Sequence, residues 1–235
     1  MNDQAHTSRK LNEWVHFQAC GAVAAVGLYV WFKSLTPFLV WNLLAFGWLA
    51  YWLRRDWKTS LFPGGLANGI TWVRLFLFLS LIPGRAVMEG WQLSLVAWMA
   101  LSLDGLDGLA ARRLKQQSDY GEYFDKEADA VFVLTMSLLL YDLGQAGSWV
   151  LWFGLIRYVY LVPELWLKPV YQKDRKTTYA KRIAGMVMAS LATAPALPAP
   201  VNSVLLPAAG LLLAYSFGRS LVEAIADRIG RAKTQ

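Results

Sequence analysis

With 235 residues, 56% of them hydrophobic, 12 tryptophans and only 17% charged side chains, the chain has too little polar composition to cover an ordinary soluble fold of its size. A net charge of +7 would suit a nucleic-acid binder, but the basic residues sit at the edges of apolar segments with no aromatic and basic reading surface apart from them. Nucleic acid is therefore excluded in favour of anionic lipid headgroups, and the single cysteine, Cys20, excludes an internal disulfide.

Crossing a hydrocarbon layer of ~30 Å takes about 20 mostly apolar helical residues. Eight segments approach that length, over 13–32, 36–53, 67–82, 86–109, 124–143, 148–167, 183–197 and 203–226. The first follows the polar stretch MNDQAHTSRKLNEW and has no small-residue cleavage site, so it is expected to remain as a span rather than be cleaved as a signal peptide. Cys20 within it is expected to pack rather than react. The reading is an all-α integral membrane protein with two N-terminal spans followed by a six-helix functional unit, divided at residues 1–58 and 59–235. The stretch RRDWKTSLFPGGLAN marks the boundary.

An even number of spans puts both termini on one side, and that side would carry 18 of the 23 Lys and Arg residues, against only Lys33 and Arg85 in the opposite loops. Basic flanks stay cytoplasmic. Both termini are therefore expected in the cytoplasm, and the protein in a bacterial inner membrane.

Pro63, Gly64 and Gly65 break any helix before LANGITWVRL, where Asn68, Thr71 and Arg74 recur every three residues and share one helical face. Helix capping by Asn68 and snorkelling of Arg74 to the interface stand beside a role at the active site, in the substrate pocket or just behind it.

The segment 103–130 holds Asp104, Asp107, Asp119, Glu122, Asp125, Glu127 and Asp129 among the 16 acidic residues of the chain. Asp104 and Asp107 are three apart at the end of span four, and Asp125 and Asp129 are four apart at the start of span five. Such spacings project from one helix face, and the short connection makes the two helices antiparallel neighbours. Four carboxylates can then converge. Bare carboxylates at close range repel, and a divalent cation removes the conflict. With oxygen ligands and no nearby His or Cys, Mg²⁺, Mn²⁺ or Ca²⁺ is favoured over zinc, and Mg²⁺ typically pairs carboxylates with phosphate oxygens. Gly105, Gly108, Ala110 and Ala111 keep the surroundings small, and Arg112 is placed to hold a phosphate. Close helix packing and a cytoplasmic anchor are the plain structural readings of the same residues.

Together these residues form one long pattern: Asp104, Asp107, Gly108, Ala111, Arg112, Gly121, Asp125 and Asp129 at fixed spacings. It resembles the signature of the CDP-alcohol phosphotransferase (CDP-alcohol phosphatidyltransferase) family, integral membrane enzymes of phospholipid synthesis. ANGITWVR is similar to an Asn-x-x-Thr-x-x-Arg element that precedes the signature in many members. The resemblance implies a six-helix core in which an alcohol attacks a phosphorus of a CDP-linked lipid and CMP leaves. It further implies metal ligation by Asp104, Asp107, Asp125 and Asp129, with two Mg²⁺ or Mn²⁺ ions per active site and Asp129 as general base. Asp104, Gly108, Ala111, Arg112 and Gly121 would line the CDP site, joined by Ser118, which is equally readable as a turn residue. A homodimer is expected on the same ground.

Such a site belongs at the cytoplasmic membrane border, where a lipid donor keeps its chains in the bilayer while its head meets a soluble acceptor. Lys173, Arg175, Lys181 and Arg182 are candidates to bind a phosphorylated acceptor such as glycerol 3-phosphate or an inositol phosphate, although positive-inside bias also explains them. Arg157 and Glu164 inside span six face a polar cavity or pair across helices. Two other readings remain at this point. An Asp-rich membrane prenyltransferase would carry its acidic clusters on distant helices, and a cation transporter would string carboxylates along a path through the bilayer.

Overall fold

A computed structural model of the chain describes residues 2–53, 66–113, 119–167 and 178–232. The described residues form eight α-helices and no strand: α1 (Asn2–Phe32), α2 (Thr36–Leu53), α3 (Leu66–Gly84), α4 (Gly90–Arg113), α5 (Asp119–Asp142), α6 (Leu151–Leu167), α7 (Thr178–Thr193) and α8 (Ala199–Ala232). Short 3-10 turns at Ser148–Val150 and Ala194–Ala196 precede α6 and α8. Each expected segment corresponds to one helix. By length and composition, two of the described helices carry a stretch fit to cross a bilayer, Glu13–Phe32 in α1 and Ala199–Ser220 in α8, and the apolar stretches Asn68–Gly84 and Ser148–Val159 are shorter. Eight spans are therefore a reading of the sequence as a whole, which helix hydropathy alone does not establish.

Burial along α1 follows the helical period: Leu11, Trp14, Val15, Gln18, Ala19, Ala22, Ala25, Val26 and Tyr29 face inward. Cys20 falls off this stripe and is exposed, contrary to the packing role expected for it. At Lys33 the backbone adopts a positive φ of 52°, which turns the chain into α2. The resulting hairpin is tied by the Trp14 indole donating to the Ala45 carbonyl (3.0 Å) and by the buried Gln18 amide donating to Asn42 Oδ1 (2.8 Å).

The centre of the fold is α5. Between Val131 and Leu140 almost every side chain is buried, as expected for a helix enclosed on all sides. Helices α1, α3, α6 and α7 all pack on it. Against α6 the approach is close: a Cβ at Gly154 would come within 2.5 Å of the Leu134 Cα, so only glycine fits there. Against α3, Phe78 meets Phe132 edge to face (5.7 Å) and Trp72 meets Phe124 (4.9 Å).

The N-terminal hairpin reaches this core at two places. Phe46 of α2 packs on both Trp72 and Phe124. At the other end of α5, Asp142 accepts from the Tyr29 hydroxyl (2.9 Å) and from Arg85 Nε (2.6 Å). Arg85 opens the turn between α3 and α4. That turn is held by Val87 and Met88 donating to the Gly84 carbonyl, which is why α4 starts at Gly90, later than the apolar pattern indicates.

Asp142 thus joins α1 and the turn after α3 to the end of α5. Tyr29→Phe is expected to lower stability by about 1 kcal/mol and Asp142→Ala, which also strands Arg85, by about 1–3 kcal/mol. Thermal unfolding of the detergent-solubilised protein measures both, and an Asp142→Ala variant as stable as the parent would contradict this assignment.

Candidate metal centre

Arg74 is the largest fully buried side chain among the described residues. Asn68, Thr71 and Arg74 are all buried on the α3 face, as their three-residue spacing predicts. Arg74 does not snorkel. Its Nη1 lies 2.7 Å from Asp104 Oδ1 on α4 and 2.9 Å from Asp125 Oδ1 on α5, and its Nη2 lies 2.7 Å from Asp129 Oδ1. One guanidinium therefore meets carboxylates from two other helices.

Exposure divides this cluster into a floor and a mouth. The Arg74 side chain is 2% exposed, whereas Asp104, Asp125 and Asp129 retain 46%, 42% and 31%. The carboxylates are held from below by the arginine and open on their other side. One oxygen from each lies within 4.8 Å of the others. Mg²⁺ binds oxygens at about 2.0–2.1 Å and Ca²⁺ at about 2.3–2.6 Å, so the three carboxylates would draw closer together to share one hard divalent ion. The all-oxygen donor set and its open side fit such an ion, and the arginine leaves oxygens of the three carboxylates free to bind it.

The helices supply this geometry directly. Asp125 and Asp129 are one turn apart on α5, so both face α3, and α4 brings Asp104 alongside. Asp107, Gly108, Ala111 and Arg112 follow on α4 with side chains outside those described. Ser118, Lys173 and Arg175 lie outside the described residues. Gly121 sits in the first turn of α5, one turn before Asp125. Lys181, exposed near the start of α7, is close enough for its charge to act on Asp104, and Arg182 beside it is also exposed.

A second ionic contact lies on the other face of α5. Glu127 stands two residues from both Asp125 and Asp129, which turns it about 200° away from them. It is fully buried and pairs with the Arg157 guanidinium of α6, whose side chain is 31% exposed. The sequence left Arg157 either facing a polar cavity or pairing across helices, and named no partner for it; the structure shows the second, with Glu127. The offset of Glu127 from the Asp125/Asp129 face was the available signal. Two arginines from different helices thus grip α5 on opposite faces within one turn.

A family model described as CDP-alcohol phosphatidyltransferase matches residues 65–216, well over half of the chain, from the start of α3 into α8. No curated protein and no solved structure gives a significant match.

Removing one partner of a buried ion pair strands the other, and the cost is greatest for the charge that cannot reach water. Arg157→Met, which isolates the Glu127 carboxylate, is expected to cost about 3–5 kcal/mol. Glu127→Gln should cost less, because the glutamine carbonyl can still accept from the Arg157 guanidinium. Glu127 Oε2 and Arg157 Nε have no hydrogen-bond partner among the described residues. The double replacement Glu127→Leu/Arg157→Met should therefore recover most of the loss. Denaturant or thermal unfolding of the three variants checks the ranking.

Proposed function

The chain belongs to the CDP-alcohol phosphatidyltransferase family, and on that premise we propose that it transfers a phosphatidyl group from a CDP-linked lipid to a polar alcohol in phospholipid synthesis, releasing CMP. The observation that carries this reading is the convergence of Asp104, Asp125 and Asp129 over Arg74. Members of the family join a CDP-linked donor to an alcohol acceptor and use divalent metal ions. Asp104, Asp107, Asp125 and Asp129 would hold two Mg²⁺ or Mn²⁺ ions. When bound, the ions supply neutralisation of the diphosphate charge and stabilisation of the departing CMP phosphate.

The chain's own residues have three tasks. Asp129 takes the proton of the acceptor hydroxyl as its oxygen bonds to the lipid-linked phosphorus and the bond to the CMP oxygen breaks. Gly108, Ala111 and Gly121 admit the nucleotide, with Arg112 and Ser118 contacting its polar groups. Asn68 and Thr71, on the same buried face as Arg74, shape the wall behind the carboxylates.

The acceptor is read as a phosphorylated alcohol such as glycerol 3-phosphate or an inositol phosphate, bound by Lys173, Arg175, Lys181 and Arg182. The exposure of Lys181 and Arg182 and the reach of Lys181 to Asp104 support that reading. We take residues 59–235 as a six-span catalytic core and residues 1–58 as a two-span addition, a division supported by the family match beginning at residue 65, after α2. Both termini and the site face the cytoplasm of a bacterial inner membrane, on the charge asymmetry of the loops, and the protein works as a homodimer. The clustering of carboxylates at one end of α4 and α5, and not along a path, weighs against cation transport.

Purified protein with CDP-diacylglycerol and Mg²⁺ should release CMP in the presence of one acceptor among glycerol 3-phosphate, inositol phosphate, inositol, serine and choline. Loss of a general base typically costs 10²–10⁴ in rate, so Asp129→Asn should lower turnover at least about 100-fold. Release that is independent of acceptor, or undiminished in this variant, would contradict the assignment.

A further inference from the structure

We propose that Arg74 is a built-in counter-ion, which keeps the acidic cluster assembled before a divalent ion arrives and whose electrostatic task overlaps with that of the ion. The inference rests on the divalent-metal reading of the site given above.

Three carboxylates with oxygens within 4.8 Å of one another repel strongly, and nothing about α4 or α5 alone would hold them together. The Arg74 guanidinium offsets that repulsion from within the bundle, with contacts of 2.7–2.9 Å to one oxygen of each carboxylate. Its planar fork suits this task, because Nη1 serves two carboxylates and Nη2 the third. Arg74 contacts three carboxylates with one positive charge, and Lys181 adds a more distant one at Asp104, so the cluster keeps a negative excess. The geometry therefore combines preassembly with retained attraction for a cation.

An ordinary packing role and a counter-ion role make opposite statements about linkage. If Arg74 only fills space between α3, α4 and α5, replacing it destabilises the protein equally with and without a bound ion. If it compensates charge, its loss is felt most when no ion is present. The thermodynamic cycle then requires that the neutralised variant bind the ion more tightly than the parent does.

The test uses the full chain in detergent, without substrate, with Mg²⁺ alone as probe. Parent, Arg74→Gln and Arg74→Lys are purified in Mg²⁺ and unfolded thermally in EDTA and across a Mg²⁺ titration. The parent should remain folded in EDTA. Arg74→Gln should lose most of its stability in EDTA and regain it with Mg²⁺, with an apparent Mg²⁺ affinity about tenfold or more above the parent's, as expected when a like charge beside a divalent ion is removed. Arg74→Lys, which keeps the charge without the fork, should fall between the two. Equal destabilisation of Arg74→Gln in EDTA and in saturating Mg²⁺, or weaker Mg²⁺ binding than the parent's, overturns the proposal. Should the Gln variant fail to fold in both conditions, the Lys variant decides, and a Mg²⁺ response equal to the parent's overturns it. A parent and variants that all ignore Mg²⁺ would instead refute the divalent-metal reading itself.

Discussion

Carboxylates gathered inside a helical bundle repel unless an opposite charge lies beside them, and the charge built into this protein for that purpose is the guanidinium of Arg74. It is the innermost part of the site, at 2% exposure, and its contacts of 2.7–2.9 Å reach carboxylates on both neighbouring helices. The packing of α3 against both α4 and α5 and the one-turn spacing of Asp125 and Asp129 make that contact possible. Taking the arginine away would leave the repulsion among the three acidic groups without the charge built in to offset it.

The rest of the bundle holds α5 in register. On its far face Glu127 pairs with Arg157 of α6, and at its distal end Asp142 accepts from Tyr29 and Arg85. With a rise of about 1.5 Å per residue, the contacts at Asp125 and Asp142 are roughly 25 Å apart along the helix. Between them lie the aromatic contacts of α3 and the close passage of Gly154 past Leu134. The N-terminal hairpin takes part at both ends, through Phe46 near the site and Tyr29 far from it. It is packed onto the helix that carries Asp125 and Asp129, and its position is coupled to theirs by shared contacts.

Much of this was legible in the sequence because helical spacing maps directly onto helical faces. The order of the eight helices follows from the apolar segments, and the shared faces of Asp125 with Asp129 and of Asn68, Thr71 and Arg74 follow from intervals of three and four; α4 and α5 were expected side by side, whereas α3 packs against both and its Arg74 joins Asp104 to the α5 pair. Depth was not legible. Interval alone does not say whether an arginine near a helix start turns outward to the interface or inward, and Arg74 turns inward because partners on α4 and α5 are there to receive it. Cys20 shows the same limit: apolar neighbours suggested burial, but its angle on α1 points it away from α2. Glu127 was hidden for a different reason, since an acidic residue amid other acidic residues reads as part of the cluster until its angle is taken into account.

The most direct test of the central claim, that Asp104, Asp125 and Asp129 form a cation site floored by Arg74, is anomalous scattering from crystals of the full chain grown with Mn²⁺. The expected result is an anomalous peak within coordination distance of these three carboxylates, on their open side, with the guanidinium still beneath them. A peak elsewhere on the protein, with none at this cluster, would contradict it.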